Sequence, residues 1–136
     1  MTRAAFACLL VFAFVSPAHE KPRPEKPPRP GVLASCTIVG TPGNDFLFDS
    51  PRADVVCGLG GNDTLAGGGG DDVLRGGPGD DTIQGGAGAD RLLGGPGDDS
   101  LRAFDRRRDW VNGEGGYDTA WIDRRLDRVS RVEQVV

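Results

Sequence analysis

The chain has 136 residues, enough for one small domain and too few for two. Gly (22) and Pro (10) are abundant and apolar residues reach only 38%, so a conventional hydrophobic core would be thin. Twenty acids against sixteen bases leave a net charge of −4, which argues against a nucleic-acid partner, and the one histidine, His19, removes most His-based catalysis and zinc chemistry.

At the N-terminus, residues 1–3 carry a single positive charge and residues 4–15 are an unbroken apolar run. Ser16-Pro17-Ala18 then places small residues at −3 and −1 of a cleavage site. This is the layout of a secretory signal peptide over 1–18, and the apolar run is too short to span a bilayer. A secreted, extracellular protein with no membrane span after cleavage is expected. Cys8 lies inside the apolar run, where it cannot serve as a lipoprotein cysteine. Residues 19–31 form a charged linker, rich in proline and extended because each proline fixes φ and removes a donor.

A nine-residue period governs the middle of the chain. From Gly40 the sequence divides into GTPGNDFLF, DSPRADVVC, GLGGNDTLA, GGGGDDVLR, GGPGDDTIQ, GGAGADRLL and GGPGDDSLR. Place six is Asp45, Asp54, Asp63, Asp72, Asp81, Asp90 and Asp99; place eight is Leu47, Val56, Leu65, Leu74, Ile83, Leu92 and Leu101. Skipping Ala103 as a one-residue insertion recovers two degenerate units over 104–121, with Asp109 and Asp118 at place six. Backward, residues 31–39 put Ile38 at place eight and Cys36 at place six. Ragged ends around a regular centre are the mark of a repeat array.

The pattern resembles the GGxGxDxUx nonapeptide of the RTX, or hemolysin-type calcium-binding, repeat family. The resemblance is strong over 40–102 and weak over 104–121. It implies an all-β fold, a right-handed parallel β-roll (a β-solenoid) with two nonapeptides per turn. The domain plan is then the signal peptide at 1–18, the linker at 19–31, the roll at 32–121 and a C-terminal cap at 122–136. It also implies several bound Ca²⁺ ions as cofactors.

The residue types suit that reading. Glycines at places one, two and four permit φ > 0 and close approach of the main chain to an ion. They leave carbonyl oxygens unshielded, and hard Ca²⁺ prefers carbonyls and carboxylates. The side-chain ligands expected are therefore Asp45, Asp54, Asp63, Asp72, Asp81, Asp90 and Asp99, with Asp109 and Asp118 weaker. Loop carbonyls are expected around Gly58, Gly60, Gly67, Gly69, Gly76, Pro78, Gly85, Ala87, Gly94 and Pro96. Places seven to nine form a short strand with place eight pointing inward. Stacked turns pair Asp45 with Asp63, Asp54 with Asp72, and so on; two carboxylates roughly 5 Å apart repel by about 3 kcal/mol at an effective dielectric of 20. A divalent cation between them reverses that sign, so metal binding and folding should be one event. Asn44, Asn62, Asp71, Asp80 and Asp98 at place five are expected to hold their turns through Asx hydrogen bonds.

Two cysteines remain after cleavage, Cys36 and Cys57, and a secreted context makes them a candidate disulfide. Places six and nine of a regular strand lie about 10 Å apart, beyond disulfide reach, so the bond requires an irregular first turn. Whether it forms stays open. The arginines at 106–108 and 124–125 sit among Asp105, Asp109, Asp123 and Asp127 and read as a salt-bridged, solvated surface. Trp110, Val111, Trp121, Ile122, Leu126, Val129, Val132 and Val136 are spaced to cover an open sheet end, as helix or as strand. No HExxH or Ser-His-Asp set is present, and Asp repeated every nine residues is a ligand ladder, so an enzyme is not expected. The alternative reading is a calcium-rigidified adhesion, matrix or cell-wall interaction module.

Overall fold

A computed structural model describes residues 36–136. The expected signal peptide at 1–18, the expected linker at 19–31 and residues 32–35 lie outside the described residues. The described chain is all β: β1 (Ile38–Val39), β2 (Phe46–Phe48), β3 (Val55–Cys57), β4 (Thr64–Gly69), β5 (Val73–Arg75), β6 (Thr82–Ala87), β7 (Arg91–Pro96), β8 (Ser100–Ala103), β9 (Trp110–Gly115), β10 (Thr119–Ile122), β11 (Arg128–Ser130) and β12 (Gln134–Val135). Odd strands form one six-stranded sheet in the order β1-β3-β5-β7-β9-β11, and even strands form the other in the order β2-β4-β6-β8-β10-β12.

All the pairings are parallel, and all but the last, β10 with β12, join equivalent places of units two apart: Leu65 faces Ile83, Leu74 faces Leu92 and Ile83 faces Leu101. The chain therefore winds as a coil, one nonapeptide per sheet and two per turn. Since successive strand residues point to opposite faces, place eight is the one inward position of a three-residue strand. Val56, Leu65, Leu74, Ile83, Leu92, Leu101, Val111 and Ala120 are fully buried, with Ile38, Leu47, Val129 and Val132 packed against them. One aliphatic side chain for every nine residues ordered is a sparse interior.

Several strands run past place nine into the glycines of the next unit, as in Thr82–Ala87 and Arg91–Pro96. The residue skipped at 103 is fully buried at the end of β8, paired with Ile122, so both strands lengthen by one inward residue. The two pairings that span it have a register of 19 rather than 18, with Leu92 facing Val111 and Leu101 facing Ala120. The C-terminal segment is strand: β11 pairs with β9 and β12 with β10, adding a last ragged turn. Trp110 and Trp121 lie on the outer faces, where Arg91 and Arg102 stack over them at 4.0 and 5.3 Å from the ring centroids.

The first turn is irregular. A bend at Thr37 carries Cys36 back over β3, and the Cα atoms of Cys36 and Cys57 stand 5.9 Å apart, joined by a disulfide. The separation of a regular strand does not apply there.

Because the inward row is one residue wide, Leu92→Ala should destabilise the folded chain by about 2–5 kcal/mol in chemical denaturation. Leu93→Ala, on the outer face, should cost less than about 1 kcal/mol.

Candidate metal centre

The turns between strands alternate between two edges of the coil. One edge carries Asp45, Asp63, Asp81, Asp99 and Asp118; the other carries Asp54, Asp72, Asp90 and Asp109. Stacking places each aspartate against its equivalent in the next turn, as the period requires, but the carboxylates do not simply face each other. The backbone N–H of Asp63 donates to Asp81 Oδ1 at 2.7 Å, that of Asp72 to Asp90 Oδ1 at 2.9 Å, and that of Asp81 to Asp99 Oδ1 at 2.8 Å. Asp45, Asp54, Asp90 and Asp99 donate in the same way to Asp63, Asp72, Asp109 and Asp118. One oxygen of each inner carboxylate thus ties two turns together.

The other oxygen is an orphan. Oδ2 of Asp63, Asp72, Asp81, Asp90, Asp99, Asp109 and Asp118 is buried with no hydrogen-bond partner. These residues are at most 3% exposed, whereas Asp45 and Asp54, at the first turn, are half-buried. Leaving so many buried carboxylate oxygens unmatched is costly unless a cation or a proton meets them.

The place-one glycines show where these oxygens point. A Cβ built on Gly67 would stand 2.6 Å from Asp72 Oδ2 and 2.5 Å from the carbonyl oxygen of Gly85. On Gly76 it would collide with Asp81 Oδ2 and stand 2.7 Å from the Gly94 carbonyl. Gly58, Gly85, Gly94 and Gly113 bring their Cα against the orphan oxygens of Asp63, Asp90, Asp99 and Asp118 in the same way. The expectation of φ > 0 at place one is not met: positive φ falls at places two and four, as at Gly77 (+106°) and Gly79 (+136°). Place-one glycine is required for close approach, because any side chain would occupy the space between carboxylate and carbonyl.

The place-three carbonyls are partly engaged. Those of Pro78, Ala87 and Pro96 accept from the N–H groups of Gly61, Gly70 and Gly79 at 3.0, 3.0 and 2.9 Å. Gly60 and Gly69 bring no carboxylate against them; a Cβ there would lie 3.8 Å from the Pro78 and Ala87 carbonyls. No group of three or more Asp, Glu, His or Cys side chains converges among the described residues. A cation at these turns would take one or two carboxylate oxygens and complete its shell from main-chain carbonyls, a donor set that suits hard Ca²⁺.

Place five departs from expectation. Its side chains bond between turns, not within them: Asn62 N–H donates to Asn44 Oδ1 at 2.8 Å, Asp80 to Asn62 Oδ1 at 3.0 Å and Asp98 to Asp80 Oδ1 at 2.9 Å. On the other edge Ala89 N–H donates to Asp71 Oδ1 at 2.8 Å. The surface carboxylates near the arginines likewise accept main-chain donors, such as Gly88 N–H to Asp105 Oδ2 at 2.8 Å. Two rung residues went unforeseen. Asp127 accepts from Asp109 N–H at 3.0 Å, and Glu133 Oε2 from Asp118 N–H at 2.7 Å. One more step of nine from Asp118 lands on Asp127, so the period held that signal; Glu133 is out of phase.

A parallel coil of paired nonapeptides, with an orphan carboxylate oxygen over a glycine at turn after turn, defines a calcium-binding β-roll. Residues 37–65 and 66–101 match the family model of the RTX calcium-binding nonapeptide repeat (4 copies). The coil belongs to that family. No match was found among curated proteins or among solved structures.

Burial raises the inner carboxyls from their ordinary 3.8, to about 7 at Asp72, Asp99 and Asp109 and about 6 at Asp81 and Asp90, with the main-chain hydrogen bonds opposing the rise. The metal-free coil therefore holds protons that the unfolded chain has released, and its stability falls as pH rises through 6–7. Calcium needs the ionised form, so its binding weakens as pH drops through the same window. Circular dichroism at about pH 5 and pH 8 should show more β-sheet in the metal-free chain in acid, and thermal melts should show the calcium-loaded chain more stable in base. Gly76→Ala should also weaken calcium binding far more than Gly60→Ala in calorimetric titration, because only the former meets a carboxylate and a carbonyl.

Proposed function

We propose that the protein is a secreted, non-enzymatic calcium-binding repeat protein whose β-roll folds when the chain meets extracellular Ca²⁺. The observation that carries this reading is the series of buried, unpartnered Oδ2 atoms from Asp63 to Asp118. With an interior of one aliphatic side chain per nonapeptide, neutralising those oxygens decides whether the coil closes. Asp63, Asp72, Asp81, Asp90, Asp99, Asp109 and Asp118 would hold the ions with the place-one carbonyls, and Asp45 and Asp54 would contribute at the first turn. Calcium supplies positive charge and a flexible oxygen-coordination shell there.

Secretion is supported by the charged start, apolar run and small-residue site over 1–18. A non-enzymatic role is supported by the spread of equivalent carboxylates over both edges, where a reaction would single out one location. With a dissociation constant of about 0.1 mM, roughly 1 mM extracellular calcium adds about 1.4 kcal/mol per site, and several sites together carry the chain from unfolded to folded. The same coil serves the second reading, a calcium-rigidified contact module, and its outer faces bear on that role.

Circular dichroism of residues 19–136 should change from disordered in EGTA to β-rich in millimolar Ca²⁺; identical spectra in both would overturn the reading. Asp81→Asn keeps an oxygen for the Asp63 N–H while deleting the charge. It should weaken calcium binding at its turn by on the order of tenfold in titration and, in EGTA, raise the β-sheet signal above that of the unaltered chain, because the coil then closes with one buried charge fewer.

A further inference from the structure

The orphan rung oxygens begin only at the second turn of the coil. In the first turn the equivalent atoms are met by donors of the chain itself. Thr41 gives both its N–H and its hydroxyl to Asp45 Oδ2, at 2.5 and 3.0 Å, and Ser50 Oγ donates to Asp54 Oδ2 at 3.0 Å. Both hydroxyls stand at place two, where the four units over 67–102 have Gly68, Gly77, Gly86 and Gly95. Within residues 36–57 the one buried, unmatched carboxylate oxygen is Asp49 Oδ2, against seven such oxygens from Asp63 to Asp118. Asp49 stands at place one and is no rung residue, and its other oxygen accepts the Ser50 N–H at 2.5 Å.

The same segment is closed by bonds that need no ion. The disulfide joins Cys36 to Cys57 across a separation of 21 residues, enclosing both rung carboxylates. Such a link removes open conformations from the unfolded chain and so favours the closed loop. Thr37 crosses to β3, where its N–H and hydroxyl donate to the Val55 carbonyl at 2.7 and 3.1 Å and its Oγ accepts the Val55 N–H at 2.9 Å. Gly40 N–H donates to the Cys57 carbonyl at 2.8 Å.

We propose that the first turn closes without calcium and is the template on which calcium winds the remaining turns, starting from the N-terminal end of the coil. Each later turn needs a formed edge to pair with. β4 pairs with β2 and β5 with β3, while the N–H groups of Asp45 and Asp54 donate to Asp63 Oδ1 and Asp72 Oδ1. A closed first turn holds those strands and donors in place before an ion binds, so the chain-ordering cost of starting the stack is already met. The other end lacks this provision, since Oδ2 of both Asp109 and Asp118 is unmatched there. The proposal rests on the calcium-folded coil described above.

The test is residue-resolved amide hydrogen exchange on the oxidised full chain, in EGTA and in millimolar Ca²⁺. In EGTA the amides of Thr37, Gly40 and Thr41 should exchange at least about tenfold more slowly, relative to unfolded rates, than those of Thr82, Arg91 and Ser100, which bond to main-chain carbonyls further along the coil. Calcium should then slow the second set. Fast exchange of both sets in EGTA overturns the template alone, whereas slow exchange of both overturns the calcium-dependent closure as well. A second arm follows the Thr41→Val/Ser50→Ala double variant by circular dichroism after jumps into calcium and into EGTA. Folding in calcium should slow by about tenfold, with unfolding in EGTA changed by less than about twofold. Unchanged folding with faster unfolding places closure of the first turn last and overturns the proposal. Thr82→Val, which removes an outward hydroxyl from a later turn, should leave both rates within about twofold; equal slowing there also overturns it.

Discussion

Everything in this coil hangs on how one aspartate per nonapeptide divides its two oxygens. Oδ1 accepts the main-chain N–H of the equivalent aspartate in the preceding turn, so the register of the stack is written in side-chain hydrogen bonds as well as in the sheet ladder. Oδ2 is buried in the turn against a glycine that cannot shield it. The first oxygen fixes the geometry of the second. The carboxylate cannot swing out to solvent without breaking the rung that aligns two turns, so its unmet charge becomes a standing demand for a cation.

That division explains why some features were legible in the amino-acid sequence and others were not. The inward row follows from a strict period, because place eight is aliphatic in every unit, while the stacking of Asp63 on Asp81 follows from the two units per turn that the family resemblance implies. The glycine roles were less accessible. Places one, two and four look alike as letters, yet place one is glycine because an oxygen approaches its Cα, while places two and four are glycine because φ is positive there. Place-five side chains look like local turn formers, and they bond 18 residues away because the next turn offers an unpaired N–H at the same height. Asp127 was in phase but stood beyond the last unit with recognisable glycines, and the closure of Cys36 on Cys57 depends on a bend at Thr37 that no periodicity encodes.

The fold also separates its tasks by direction. Inward positions are uniform and aliphatic, and the two edges carry the charge-bearing turns. The outward positions at places seven and nine are left unconstrained by either demand, which is why Arg75, Arg91 and Trp110 can vary in chemistry on a scaffold whose other residues repeat. The turns that carry the orphan carboxylate oxygens therefore share no side chain with the outward faces.

The alternation of units between two sheets restricts how such a gene can change length. Ala103 shows that a single extra residue is absorbed, since it lengthens one strand end and Ile122 answers it on the neighbouring strand. Gain or loss of one whole nonapeptide is a different event: every downstream unit would move to the opposite sheet, carrying Trp110 and Arg128 to the face now lined by hydroxyls. Duplication in pairs preserves the sidedness, so copy number can drift only in even steps without scrambling what each face displays.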